Sequence, residues 1–152
     1  MKKIKNVMKV LVFAVVLFSM TTIVVEAASV SFSFRGWNMK ESKQFKLNSG
    51  NTYQFVTSGE ILIDPETKEH DVRMFTELWW ERWYGYKQIN CGYADYKGLG
   101  NSSKTKYKTV KMKEIKFNHY IDTTSDKFYL TNSSVYTTNA YGYTGKTTYK
   151  KK

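Results

Sequence analysis

The sequence predicts a small all-β fold, an antiparallel sandwich or partly open barrel of about eight short strands. Three observations carry this prediction. Short runs alternate polar and apolar residues, as a strand with one buried face must. Turn signals rich in Gly, Asn, Asp and Ser separate them every ~8–12 residues. Aromatic residues make up 16% of the 152-residue chain, a bias that favours strands.

The N-terminus precedes the fold. Lys2, Lys3, Lys5 and Lys9 sit before an apolar run from Val10 to Val25, and Val25-Glu26-Ala27 is a small-x-small site. This is the three-part design of a secretory signal peptide, expected over residues 1–27. Residues 28–152 are expected to form a single all-β domain, and the protein to be secreted and extracellular. The apolar run is long, so anchoring by an uncleaved N-terminal segment is the alternative. The lone Cys91 has no intramolecular disulfide partner, and a secreted domain without disulfides suits a bacterial exporter.

Ser29-Val30-Ser31-Phe32-Ser33-Phe34 alternates without a fault and predicts the first strand. Gln44 to Leu47 alternates again. Asn48-Ser49-Gly50-Asn51 is a turn signal, and Thr52 to Val56 resumes the alternation. Ser58-Gly59 is expected to turn the chain into Glu60-Ile61-Leu62-Ile63, with a polar loop from Asp64 to Glu69.

The central stretch, His70 to Tyr86, holds three of the four tryptophans. As a strand it sets Val72, Met74, Thr76, Leu78 and Trp80 on the core side, with Arg73, Phe75, Glu77, Trp79 and Glu81 opposite. A helix is the rival, because Phe75, Leu78, Trp79, Arg82 and Tyr86 recur at helical spacing. A turn is expected near Trp83-Tyr84-Gly85.

Gly92 to Ser103 reads as loop, and Lys104 to Thr109 as a strictly alternating strand. Val110 and Met112 share one parity while Ile115 and Phe117 take the other, so a bulge or break is expected near Lys113-Glu114. Asp122 to Asp126 reads as a turn and Lys127 to Leu130 as a strand. The Thr/Tyr/Gly-rich tail predicts a last edge strand that frays at its lysines. The expected core is Val30, Phe32, Phe34, Phe45, Leu47, Tyr53, Phe55, Ile61, Ile63, Val72, Met74, Leu78, Trp80, Ile115, Phe117, Phe128 and Leu130.

Charge is unevenly spread. The net charge is +11, and from Tyr96 onward twelve lysines face only Glu114, Asp122 and Asp126. Catalytic chemistry is poorly represented. There is no nucleophile elbow, phosphate-cradling glycine loop or zinc-type cysteine pair. On one strand Glu77 and Glu81 stand some ~13 Å apart, too far for a glycosidase pair. His70 lies in an acidic loop without calcium-loop spacing. The expectation is a non-enzyme with no cofactor and no metal.

Two binding surfaces stand out. Trp79, Trp83, Tyr84 and Tyr86 offer an aromatic platform of the kind that stacks on sugar rings. Lys104, Lys106 and Lys108, followed by Lys111, Lys113 and Lys116, offer a basic stripe on one strand face, with Tyr107 and Tyr129 interleaved as stacking groups. The plain alternatives are a second core layer and an edge strand guarded by lysines. The expected function is a small secreted bacterial binding protein acting at an anionic cell-wall polymer or membrane surface. No motif for reading nucleic-acid sequence is present. The alternative is a secreted cationic, bacteriocin-like toxin that acts on a target membrane.

Overall fold

The computed structural model describes residues 29–35, 40–134 and 141–152. The expected signal peptide and Trp37 lie outside these residues. Among the described residues there are ten strands: β1 Ser29–Arg35, β2 Lys40–Glu41, β3 Phe45–Leu47, β4 Asn51–Ile63, β5 His70–Arg82, β6 Gly85–Leu99, β7 Lys108–Lys111, β8 Ile115–Ile121, β9 Ser125–Ser134 and β10 Tyr141–Lys151. They form two five-stranded antiparallel sheets, packed as a sandwich rather than a barrel. Sheet A runs β1-β10-β4, with β7 and β8 sharing the far flank of β4. Sheet B runs β9-β5-β6, with β2 and β3 sharing the far flank of β9.

The tryptophan stretch is a strand, as its alternation predicts. Val72, Met74, Thr76 and Leu78 are at most 2% exposed, and Trp80 packs against the same core. Aromatic and β-branched side chains fit a pleated surface better than the crowded turns of a helix. Its hairpin partner β6 returns after Trp83-Tyr84, with Gly85 at a φ of 133° that only glycine adopts readily. The break between β7 and β8 falls where the parity change requires it. Lys111 ends one strand, Ile115 starts the next, and both pair with β4. Between them the Met112 amide donates to the Gly59 carbonyl at 2.8 Å.

Four expectations need correction. Ser58-Gly59 is not a turn, because β4 runs unbroken through it. Gly59 pairs with Gly145 of β10, and a Cβ there would lie 2.1 Å from the Thr144 carbonyl oxygen. The glycine permits close backbone approach instead of bending. Gly92–Ser103 is not all loop, because β6 continues to Leu99. It keeps its pairing through two register shifts, one between Leu78 and Trp79 and one between His70 and Val72. Lys104–Thr109 is not a strand before Lys108. Asn101 is buried and its amide donates to the carbonyls of Ile63 and Lys106, while the Ser103 hydroxyl accepts from the Lys106 amide. Side chains thus take the backbone groups a strand ladder would use. Finally, β10 is not an edge strand. It lies between β1 and β4 and is paired along its whole length with β4.

The core divides into two clusters. One gathers Ile61, Ile63, Val72, Met74, Tyr96, Met112, Ile115, Tyr141 and Tyr143. The other gathers Leu47, Tyr53, Phe55, Leu78, Phe117, Ile121, Phe128 and Leu130, with Phe45, Trp80, Ile89 and Tyr149 against it. Of the expected core, the side chains of Val30, Phe32 and Phe34 lie outside what is described.

A buried polar chain runs between the clusters. Thr57 on β4 and Thr147 on β10 share a hydrogen bond of 2.7 Å. The Thr76 hydroxyl on β5 donates to Thr57 at 2.9 Å, and the Asn132 amide on β9 donates to Thr76 at 3.1 Å. All four residues are at most 2% exposed. The chain therefore crosses from sheet B to sheet A through the middle of the sandwich.

Two glycines test this packing. A Cβ on Gly92 would lie 2.8 Å from side-chain atoms of both Ile115 and Phe117, whereas one on Gly59 would meet backbone. Side chains yield more easily than backbone, so Gly92→Ala should cost about 1–3 kcal/mol and Gly59→Ala more. Denaturant midpoints of the two variants measure the order, and a tolerated Gly59→Ala contradicts the β4–β10 register.

Candidate functional site

The two outer faces of the sandwich carry opposite character. On sheet B the outward side of β5 presents Arg73, Phe75, Glu77, Trp79 and Glu81, as the alternation predicts. Glu77 is the hub. Its carboxylate accepts from the Thr131 hydroxyl at 2.8 Å, the Trp79 indole at 3.3 Å and the Gln88 amide at 3.0 Å. Trp79 stacks on Tyr129 at 6.4 Å, and Tyr86 meets Tyr129 edge-on at 6.1 Å. Tyr129 is held protonated above the usual phenol range, by burial first and then by its neighbours Glu41, Tyr86, Glu81 and Glu77. At the other end of the face Arg73 pairs with Asp95 at 2.5 Å and covers the Tyr93 ring. This pairing holds the Asp95 carboxyl below its ordinary range. The face is aromatic and rich in carboxylates.

The predicted platform is thus divided. Trp79 and Tyr86 belong to the sheet B face, joined by Tyr129, which sequence reasoning had set among the lysines. Trp83 and Tyr84 stand at the hairpin tip, 93% and 62% exposed, in edge-to-face contact at 5.1 Å.

The predicted lysine stripe does not form. Lys104 and Lys106 lie in the loop organised by Asn101. The Lys108 ammonium donates to the Gly100 carbonyl at 2.9 Å. Lys104 and Lys108 line a hollow with Glu66 and Glu69, so carboxylates share their surroundings. Lys113 bends toward sheet B, donating to the Asp95 carbonyl at 2.5 Å and lying over Tyr96. Tyr107 is in the loop, not on a strand.

Of the predicted set, Lys111 and Lys116 join a true basic face, the outer side of sheet A. There β4 turns Gln54, Val56, Ser58 and Glu60 outward. Cross-strand register sets Lys111 opposite Glu60, Lys116 opposite Val56, Lys146 opposite Ser58 and Lys150 opposite Gln54. All four lysines are exposed. Neighbouring strands are ~4.8 Å apart, so β10 and β8 hold their lysines about 10 Å apart across β4. Glu60 is the one acid in the described strand residues of this face, and the exposed Glu114 lies in the link between β7 and β8. The signal that could have located it was the equal parity of Lys146 and Lys150, in a tail taken for a fraying edge.

A pocket opens at the hairpin end, between the two sheets. Trp80, Arg82, Lys87, Ile89, His119, Tyr120, Ile121, Asp122 and Phe128 line it. Cys91 is a free, half-buried thiol on β6, away from this lining. Among the described residues no group of three or more His, Cys, Asp or Glu is placed to hold a metal ion. No helix among them is long and apolar enough to cross a membrane.

No known protein family matches the sequence, and no curated protein does. Solved structures align with the chain only at low similarity. The T13 particle of infectious bursal disease virus aligns at a TM-score of 0.41 and 8% identity, over 82% of this chain and 30% of that one. The Gx strain of the same virus aligns at 0.43 and 9% identity, over 82% and 30%. The CBM22-1–GH10 modules of a Clostridium thermocellum xylanase, complexed with xylohexaose, align at 0.41 and 10% identity, over 84% and 25%. The chain thus spans less than a third of each, and likeness at this level assigns neither family nor ligand.

Two measurements check this geometry. Trp80 stacks on Phe128 at 5.7 Å inside the core edge, so Trp80→Ala should cost near the low end of about 3–5 kcal/mol. Trp83→Ala, at the exposed tip, should stay within about 0.5 kcal/mol. Comparable losses would contradict the separation of the two rings. The second measurement concerns His119, whose pKa is lowered by burial, against a smaller opposing pull from Asp122. The unfolded chain then binds the extra proton first. Stability should be fully present above the ordinary imidazole value near ~6.5 and fall as pH drops through the lower folded value. His119→Gln should flatten that part of the stability–pH curve.

Proposed function

We propose that this is an exported binding protein that holds an anionic cell-surface polymer against the outer face of sheet A. The observation that supports this reading is the segregation of charge. The lysine-rich second half of the chain supplies β7, β8 and β10, and these strands turn Lys111, Lys116, Lys146 and Lys150 outward around the polar strip of β4. On the opposite sheet cations and carboxylates are mixed, with Arg73 paired to Asp95 and Lys97 to Asp71. A polyanion lying along β4 meets cations on both flanks, with the exposed Ser58 between them. Binding releases its condensed counterions, so affinity is set largely by salt. Export rests on the charged and apolar N-terminal sequence.

A second reading, action on a membrane, draws on a different observation. Trp83 and Tyr84 project from the hairpin tip, and such rings favour the membrane–water interface. The two readings separate in one set of measurements. Retention on polyphosphate resin and on isolated cell wall, followed against salt, should fall about fifty-fold between 50 and 200 mM for four neutralised charges at a slope near −0.7 each. Changing Lys111, Lys116, Lys146 and Lys150 together to Gln should flatten the slope and leave the fold intact. Changing Lys104 and Lys106 to Gln should leave most of it. Salt-independent retention, or equal loss in both variants, would end the sheet A reading. Leakage from anionic vesicles that Trp83→Ala abolishes would replace it with the membrane one.

A further inference from the structure

We infer that the pocket at the hairpin end is a separate ligand site, for a small molecule carrying a carboxylate or phosphate on an apolar ring or short chain. The pocket encloses about 200 Å³. Sites for drug-sized ligands run to about 300–1,000 Å³, so a single ring with its anionic group is the scale that fits.

Arg82 is the centre of the argument. Its guanidinium lies over the Trp80 ring at 4.3 Å and near Tyr84 at 5.6 Å. Among the described residues its only side-chain hydrogen bond is to the Tyr84 hydroxyl. Its Nε is shut off from solvent and meets no acceptor among them. The Nε is therefore out of reach from the pocket, and the terminal amino groups of the guanidinium are the donors a ligand can meet. A stacked guanidinium is also fixed in plane, a geometry that suits its terminal amino groups to two-point contact with a carboxylate or phosphate.

The rest of the lining suits the same ligand. Lys87 adds a second cation, and Asp122 is the one carboxylate. The lowered pKa of His119 keeps that ring neutral near pH 7, so it offers hydrogen bonding without a full charge. Asn90 lies 3.4 Å from its Nδ1. Ile89, Ile121, Trp80 and Phe128 form an apolar floor, which a free inorganic ion would leave uncovered. An anion on an apolar body engages both. No lysine of the sheet A face lines this pocket, so the site stands or falls independently of polymer binding.

The test titrates the full folded protein with benzoate and with phenyl phosphate, using phenol and inorganic phosphate as controls. The readouts are the Arg82 Nε–H and Trp80 indole resonances. One of the two acids should give saturable shifts at millimolar concentration or below, and the tighter one identifies the anionic group. Phenol and inorganic phosphate should each bind at least about tenfold more weakly. Arg82→Lys keeps the charge but loses the planar fork and should weaken binding about tenfold. Lys87→Gln changes an exposed residue and should weaken it by a smaller factor, without altering the fold. No saturable shift with either acid would overturn the inference. So would phenol binding as tightly, or unchanged affinity in a folded Arg82→Lys variant together with Lys87→Gln.

Discussion

The hydrogen-bonded chain Asn132–Thr76–Thr57–Thr147 is the constraint on which the sandwich depends. Hydrophobic contact between two sheets is non-directional and tolerates sliding, whereas buried hydroxyls must find one another. Slipping β5 by one residue against β9 would carry Thr76 to the outer face and leave Asn132 and Thr57 without their partner. That slip would also exchange Leu78 for Trp79 in the core. The polar chain therefore fixes how sheet B sits on sheet A, and the two apolar clusters fill in on either side. It also explains how a core can hold two separate clusters without shearing between them.

From that fixed register the two outer faces follow. Every core-facing residue of β4 and β10 commits its neighbours to the outside, so the lysines of β10 and β8 land on one surface as a consequence of burying Tyr143, Thr147 and Phe117. The same logic on β5 turns Glu77 and Trp79 out when Thr76 and Leu78 turn in. The basic face of sheet A needs no special element. It results from alternation in β7, β8 and β10, three strands that the lysine-rich second half of the chain lends to that sheet.

Much of this was legible in the sequence because period-two alternation is a local signal. The core face of β5, the Asn48–Asn51 turn, the Trp83–Gly85 reversal and the break before Ile115 all rest on residues adjacent in the chain. What escaped was decided by partners far away. Gly59 looks like a turn until Gly145 is placed beside it. Lys104 to Tyr107 alternates like a strand, but Asn101 claims its backbone. β10 looks like a frayed edge because nothing in its Thr/Tyr/Gly composition reveals that β1 and β4 flank it. The basic face was mislocated for the same reason: a charge run was visible, but the surface it shares with Lys146 and Lys150 is assembled only by pairing.

The interior position of β10 bears on how the chain reaches its native state. Sheet A cannot form by adding strands in the order they occur, because β1 and β4 have no direct ladder and must both await Tyr141–Lys151. Until that segment arrives, the inward side of β4 and the Thr57 hydroxyl lack their strand neighbour. Contacts this distant along the chain form slowly. A chain that emerges amino end first can lay down sheet B and the β4–β7 and β4–β8 ladders without β10, and sheet A closes only after Tyr141–Lys151 has emerged.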